Sequence, residues 1–192
     1  TSMLIKAKVD FNALCDQVLP GMQELMSDHA GRHKLSDFVL RYCHTTHILE
    51  MGETRFRKDY CKWAEKKGYR NHERMAALIF ATAQNGIPVL PNAPSTQIVI
   101  TEAIRVLHTV EASRDAILTQ MQALAKTLPE YSLVREMPCI GDTLAPRLIA
   151  EIGDVRRFHS KRALIAYAGI DAPPYQSGKF RANNRHISKR GN

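Results

Sequence analysis

The stretch best equipped for chemistry closes the chain. Tyr175 to Asn192 reads YQSGKFRANNRHISKRGN and carries Lys179, Arg181, Arg185, Lys189 and Arg190 with no Asp or Glu. Ser177-Gly178-Lys179 sets a hydroxyl beside a flexible residue and a cation, with Arg181 and Arg185 close by in sequence. Attack of a serine on a phosphodiester needs such surroundings. Lys and Arg neutralise the non-bridging oxygens, and a base must take the hydroxyl proton. No general base stands out locally; His186 is a candidate, although a histidine in a basic tail is more often simply solvated. Pro173-Pro174 cannot continue a helix, so Ser177 is expected on an extended or looped segment. A Ser-Gly step by itself is more often a turn than a nucleophile, and both readings stay open on the residues alone.

A second stretch suits phosphate binding without reading sequence. Met137 to Asp154, MPCIGDTLAPRLIAEIGD, follows a short helix expected over Tyr131–Glu136 and leads into another that carries Leu144, Leu148, Ile149 and Ile152. Helix, glycine turn and helix form a helix–hairpin–helix pattern. Its backbone N–H groups around Gly141 and Thr143 would face a phosphate at a helix N-terminus. The alternative is an ordinary helical hairpin, and Asp142 beside the turn would oppose an anion. Cys43, His44 and His47 imitate a metal cluster but fall in an apolar helical run, where three such close ligands do not converge. His29 and His33 flank Gly31, which works against helical i, i+4 geometry. Trp63, Phe56 and Tyr60 read as core. No metal ligands are assigned, and no Walker loop, dinucleotide fingerprint or carboxylate pair occurs.

Charge indicates what the closing region faces. Of 27 Lys and Arg and 19 acids, residues 156–192 hold nine bases (Arg156, Arg157, Lys161, Arg162, Lys179, Arg181, Arg185, Lys189, Arg190) and only Asp171. The first 155 residues therefore carry 18 of each sign, and the entire net charge of +8 lies in the last fifth of the chain. Such asymmetry fits a polyanionic partner, with a solubilising tail as the bland alternative. A hydrophobic content of 44% excludes a disordered chain. No apolar run is long enough for a membrane span, and no leader pattern opens the chain, so a cytoplasmic protein without membrane contact is expected. Four widely spaced cysteines without a C-x-x-C pair read as reduced thiols.

The elements that must position these residues are helical. Apolar spacing predicts a run from about Asp10 to His29 broken at Pro20-Gly21, then Ser36–Met51, Glu53–Lys67 ended by Gly68, and a helix capped by Asn71 with Met75, Leu78, Ile79 and Ala83 inside. NGIPVLPNAPST reads as a linker or hinge. A long helix then runs from Ser95 or Thr96 to about Leu128, with Ile100, Ile104, Leu107, Val110, Ile117, Met121, Leu124 and Leu128 along a coiled-coil-like seam, either between copies or within one chain. The expected fold is all-α with an irregular basic end, divided into a variable helical region (1–94), the long helix (95–130) and a closing domain (131–192).

From Leu128 to Asn192 the order of these residues resembles the C-terminal transposase domain of the DEDD-type, bridge-RNA-guided insertion-sequence transposases, a family that includes the pilin-gene invertase. The carrying residues are the Ile140-Gly141 turn, LIAEIGD, AYAGI, QSGK and ISKRGN; residues 1–94 match only loosely. The resemblance implies that Ser177 is a nucleophile forming a 5′-phosphoserine link to DNA. It further implies guide RNA as a partner, assembly as a homo-oligomer through the long helix, and a separate RuvC-like domain whose four acidic residues bind Mg2+. That acidic domain is expected upstream, so this chain is expected to be a truncated C-terminal piece, without a cofactor of its own, inactive alone, and Asp10 is not a metal ligand. On this view Lys179, Arg181 and Arg185 clamp the phosphate, while Arg156, Arg157, Lys161, Arg162, Lys189 and Arg190 follow DNA or RNA backbone. Two departures stand out. Cys139 occupies the place of the first glycine in Pro-Gly-Ile-Gly, and Gly169-Ile170-Asp171-Ala172 replaces Gly-Leu-x-Pro. The rival readings are a non-catalytic DNA- or RNA-binding and oligomerisation module, and a purely structural helical domain.

Overall fold

The computed structural model describes residues 2–28, 33–70, 72–172, 176–177, 180–181 and 187. The described chain is all-α, with one two-residue strand pairing near its end. Two compact units, Thr1–Ile117 and Leu118–Asn192, divide it.

The first unit is built from six helices and most of a seventh. Helix α1 (Ser2–Val18) begins well before the expected Asp10, because Leu4 and Ala7 extend upstream the stripe of Phe11, Cys15 and Val18, all buried. It stops before Pro20-Gly21, and Thr45 Oγ1 donates to the Val18 carbonyl at 2.9 Å. Gly21 has φ +76°, and a Cβ there would lie 3.0 Å from Thr82 Cγ2, so both conformation and space call for glycine. Helix α2 (Met22–Leu25) follows.

The expected Ser36–Met51 helix is two helices, α3 (Lys34–Tyr42) and α4 (Thr45–Met51), because Cys43 at φ +54° breaks the run. The buried His44 accepts the Thr46 N–H at its Nδ1 and donates from Nε2 to the Leu90 carbonyl at 2.9 Å. His44 is therefore a helix cap, and its placement on a helix face is corrected. Both of its ring nitrogens are occupied, which leaves no lone pair for a metal.

Helices α5 (Glu53–Lys66) and α6 (His72–Asn85) supply Phe56, Tyr60, Trp63, Ile79 and Phe80 to the core, where they meet Phe38 and Tyr42. Tyr42 and Phe56 meet edge to face at 5.2 Å, and Phe56 stacks with Tyr60 at 5.9 Å. Each ring withdrawn from water contributes on the order of 2–3 kcal/mol. Phe56, Tyr60 and Trp63 are thus core, as their spacing predicts. On α6 the buried positions are Ala76, Ile79, Phe80 and Ala83, while Leu78 faces out.

The proline-rich stretch after α6 is strapped down and does not act as a free hinge. Val89 and Leu90 both donate to the Gln17 carbonyl, at 2.8 and 3.1 Å, and Asn92 donates to Thr46 Oγ1. Helix α7 (Pro94–Ala125) then starts with proline in the first helical position, where no N–H is needed. Ile100, Ile104 and Leu107 are buried in the core of the first unit. Farther along, Ile117 and Leu124 are 57% and 69% exposed, and the shaded line passes to Leu118, Met121 and Ala125. The shaded positions keep a seven-residue spacing, Ile104, Glu111, Leu118 and Ala125, and the apolar residues fall out of step with it after Leu107.

Candidate nucleic-acid interface

In the second unit, α8 (Glu130–Arg135) and α9 (Leu144–Ile152) form the expected hairpin. The turn between them uses its backbone in a way that the residue types did not reveal. Cys139 takes φ +67°, the left-handed region that favours glycine, whereas no positive φ is needed at Gly141. Cys139 thus adopts the conformation that glycine would favour. The Gly141 carbonyl accepts the N–H groups of Leu144 and Ala145 at 3.1 and 3.0 Å, and Thr143 occupies the cap position without a side-chain hydrogen bond. Gly141 and Thr143 are both exposed at the start of α9.

Asp142 does not stand unopposed beside this turn. Arg135 Nε lies 2.9 Å from its carboxylate, and the Tyr131 hydroxyl donates to the same oxygen at 3.1 Å. Arg135 also donates to the Ile140 carbonyl. Tyr131 and Arg135 are four residues apart, on one face of α8, and together they hold the turn and offset its negative charge. Sequence reasoning passed over this pair, for which the i, i+4 spacing was the available signal.

A basic cluster follows α9. Asp154 accepts the N–H of Arg156 at 2.9 Å and caps a single 3₁₀ turn, Val155–Arg157. The Arg156 guanidinium closes on both Asp154 oxygens at 3.0 Å. These bonds, from the side chain first and then the backbone, hold the Asp154 carboxyl below the usual carboxylate range. Arg157 lies over the rings of Phe158 and Tyr167, 4.7 Å from each centroid. Stacking uses the guanidinium face and leaves its N–H rim for an acceptor. Helix α10 (Lys161–Tyr167) is capped by Ser160 Oγ, which accepts from Ala163 N at 3.2 Å. Lys161 and Arg162 are exposed in its first turn, and among the described residues neither is ion-paired. Cations at the positive end of a helix are unfavourable until an anion joins them. Among the described residues Arg157, Lys161 and Arg162 thus present cations that no acid takes up, while Arg156 is already engaged by Asp154.

Ser177 lies on β1 (Gln176–Ser177), which pairs antiparallel with β2 (Phe180–Arg181); Gln176 is opposite Arg181 and Ser177 opposite Phe180. The structure thus places the Ser177 and Arg181 backbones on one small ladder. Lys179, Arg185, His186, Lys189 and Arg190 lie outside the described residues. Among the described residues, no helix is long and apolar enough to cross a membrane.

The class defined by these features is a helical protein with a helical hairpin followed by a cationic surface. Residues 131–192 match the sequence profile described as "Transposase IS116/IS110/IS902 family". Over 179 residues the chain is 24% identical to a protein of Streptomyces coelicolor described as "Insertion element IS110 uncharacterized 43.6 kDa protein", covering 93% of this chain and 43% of that relative. The chain thus spans less than half the length of the curated relative it matches. No solved structure matches it. Together the likenesses support a relation to the C-terminal part of transposases of this family.

Proposed function

We propose that this chain is the C-terminal part of a transposase, gripping nucleic-acid backbone with the cluster from Arg156 to Arg162 and supplying Ser177 as the nucleophile of DNA strand exchange. The observation that carries the reading is the family match over 131–192, which contains both the cations at the start of α10 and the Ser177 segment. In the proposed step the serine oxygen attacks phosphorus and forms a phosphoserine ester. The DNA P–O3′ bond breaks, and the departing 3′ oxygen leaves as a hydroxyl once protonated. The phosphodiester's energy is retained in the protein–DNA bond, so religation needs no nucleotide cofactor. Mg2+ would be held by an acidic domain outside this chain, and a guide RNA would choose the target by base pairing.

The test is Ser177→Ala in the complete element in cells, with circle junctions scored by PCR and protein level by blotting. Loss of junctions at normal protein level and normal DNA binding is the expected result. Wild-type junction formation would show that Ser177 is a turn residue and that this region only binds and assembles. That second reading draws on the exposed Ile117 and Leu124 of α7, seven residues apart and so on one face, spaced to meet a second copy of α7. Sedimentation of Ile117→Glu/Leu124→Glu measures it, with dissociation to monomer expected if the helix dimerises.

A further inference from the structure

The first unit holds a cluster that the DNA reading does not use. Asp28 follows α2, His33 precedes α3, and His108 lies on α7. One ligand atom from each falls within 4.8 Å of the others. The two imidazole rings are in contact, with centroids 4.3 Å apart and planes tilted by 48°. One oxygen of Asp28 is spent on the fold: Oδ1 accepts the N–H groups of Leu35 and Ser36 at 2.7 and 3.2 Å, capping α3 from outside. Its other oxygen, Oδ2, is shielded from solvent and has no hydrogen-bond partner among the described residues, and the same holds for His33 Nδ1.

A carboxylate oxygen without a donor or solvent is costly, and His33 Nδ1 faces the Glu111 carboxylate 3.5 Å away without a hydrogen bond. One cation relieves both. We propose that Asp28, His33 and His108 form a site for a divalent transition metal of the zinc type, which ties the segment before α3 to α7. Two imidazoles select this class over Mg2+ and Ca2+, which prefer oxygen ligands throughout. Zinc bonds of about 2.0–2.1 Å separate tetrahedral donors by about 3.4 Å, so donors now within 4.8 Å would draw closer on binding. Ser36 Oγ, 3.1 Å from His108 Nε2 and bonded to the His33 carbonyl, braces the site from behind. Glu111 stands at its rim, 3.5 Å from His33 Nδ1 and ion-paired with Lys8 at 3.3 Å. With three protein ligands, the fourth position is left to water or to this carboxylate. The site lies outside the matched residues 131–192 and does not depend on the transposase reading.

The proposal is tested on the untagged full chain stripped with chelator, with Zn2+ as the probe. Competition against a chromophoric chelator is expected to find one tight site per chain, weakened at least about tenfold in Asp28→Asn and in His108→Gln. Added Zn2+ should raise the Tm of the wild type and leave both variants unmoved. Should a variant fail to fold, the wild type alone decides. Zn2+ should shield His33 and His108 from diethyl pyrocarbonate, read by peptide mass spectrometry, while other histidines react as before. Equal Zn2+ affinity in wild type and variants, or equal modification of both histidines with and without metal, overturns the site.

Discussion

Cys139 shows how one side chain can strain a turn whose shape survives. A non-glycine residue at φ +67° bears a steric cost that glycine escapes, on the order of 1 kcal/mol. Cys139→Gly is accordingly expected to stabilise the second unit by about 0.5–1 kcal/mol, measurable as a shift in the urea midpoint at unchanged slope. An unchanged or lower midpoint would mean that the strain is absorbed elsewhere. The thiol stood out in the sequence against the Pro-Gly-Ile-Gly of the resemblance, and the structure adds that Cys139 takes a conformation a glycine would favour. His44 teaches the converse. Its spacing from Cys43 and His47 suggested a helix face, yet one backbone N–H from Thr46 and one carbonyl from Leu90 occupy both its nitrogens. Local spacing does not distinguish a cap from a helix interior when the break, here Cys43, lacks proline or glycine.

Between elements, an ion pair joins α3 to α5. Arg41 grips Asp59 through both carboxylate oxygens at 2.8 and 2.9 Å, and the Tyr42 hydroxyl donates to the same group at 2.8 Å. Burial pushes the Asp59 carboxyl up, but the bonds from Arg41 and Tyr42 together outweigh it and hold the carboxyl below its ordinary value. A carboxyl depressed by folding binds its proton more weakly in the native state. Its stabilisation is therefore present above the ordinary carboxylate pKa of about 3.9 and is lost as pH falls through the lower folded value. Asp59→Asn should lower stability near neutral pH and flatten the loss on acidification below about pH 4, followed by thermal melts between pH 2 and 6. An acid limb as steep as wild type would assign the loss to other carboxylates. None of this pairing was legible beforehand, because Arg41 and Asp59 lie on separate helices and meet only when these pack.

At the scale of the whole molecule, the charge asymmetry becomes a statement about salt. Each cation that neutralises a phosphate contributes about −0.9 to the slope of log affinity against log salt on duplex DNA. Lys161→Ala and Arg162→Ala should each flatten the slope by nearly that amount, and Arg156→Ala by less, because Asp154 already holds its guanidinium. Equal effects at all three positions would indicate that the Asp154 pairing opens on binding. The sequence by itself determined the helical class, the core role of Phe56, Tyr60 and Trp63, the α8–α9 hairpin and the concentration of charge after Arg156. Each of these rests on periodicity, breakers or composition, which neighbouring residues encode. Only the tertiary structure decided that the proline-rich stretch is strapped to Gln17 and Thr46, that the apolar line of α7 slips to Leu118 and Ala125, and that His33 meets His108. Such contacts join residues far apart in the chain. They follow from which helix faces bury together, a choice made by the packing of the whole core and not by any local run of residues.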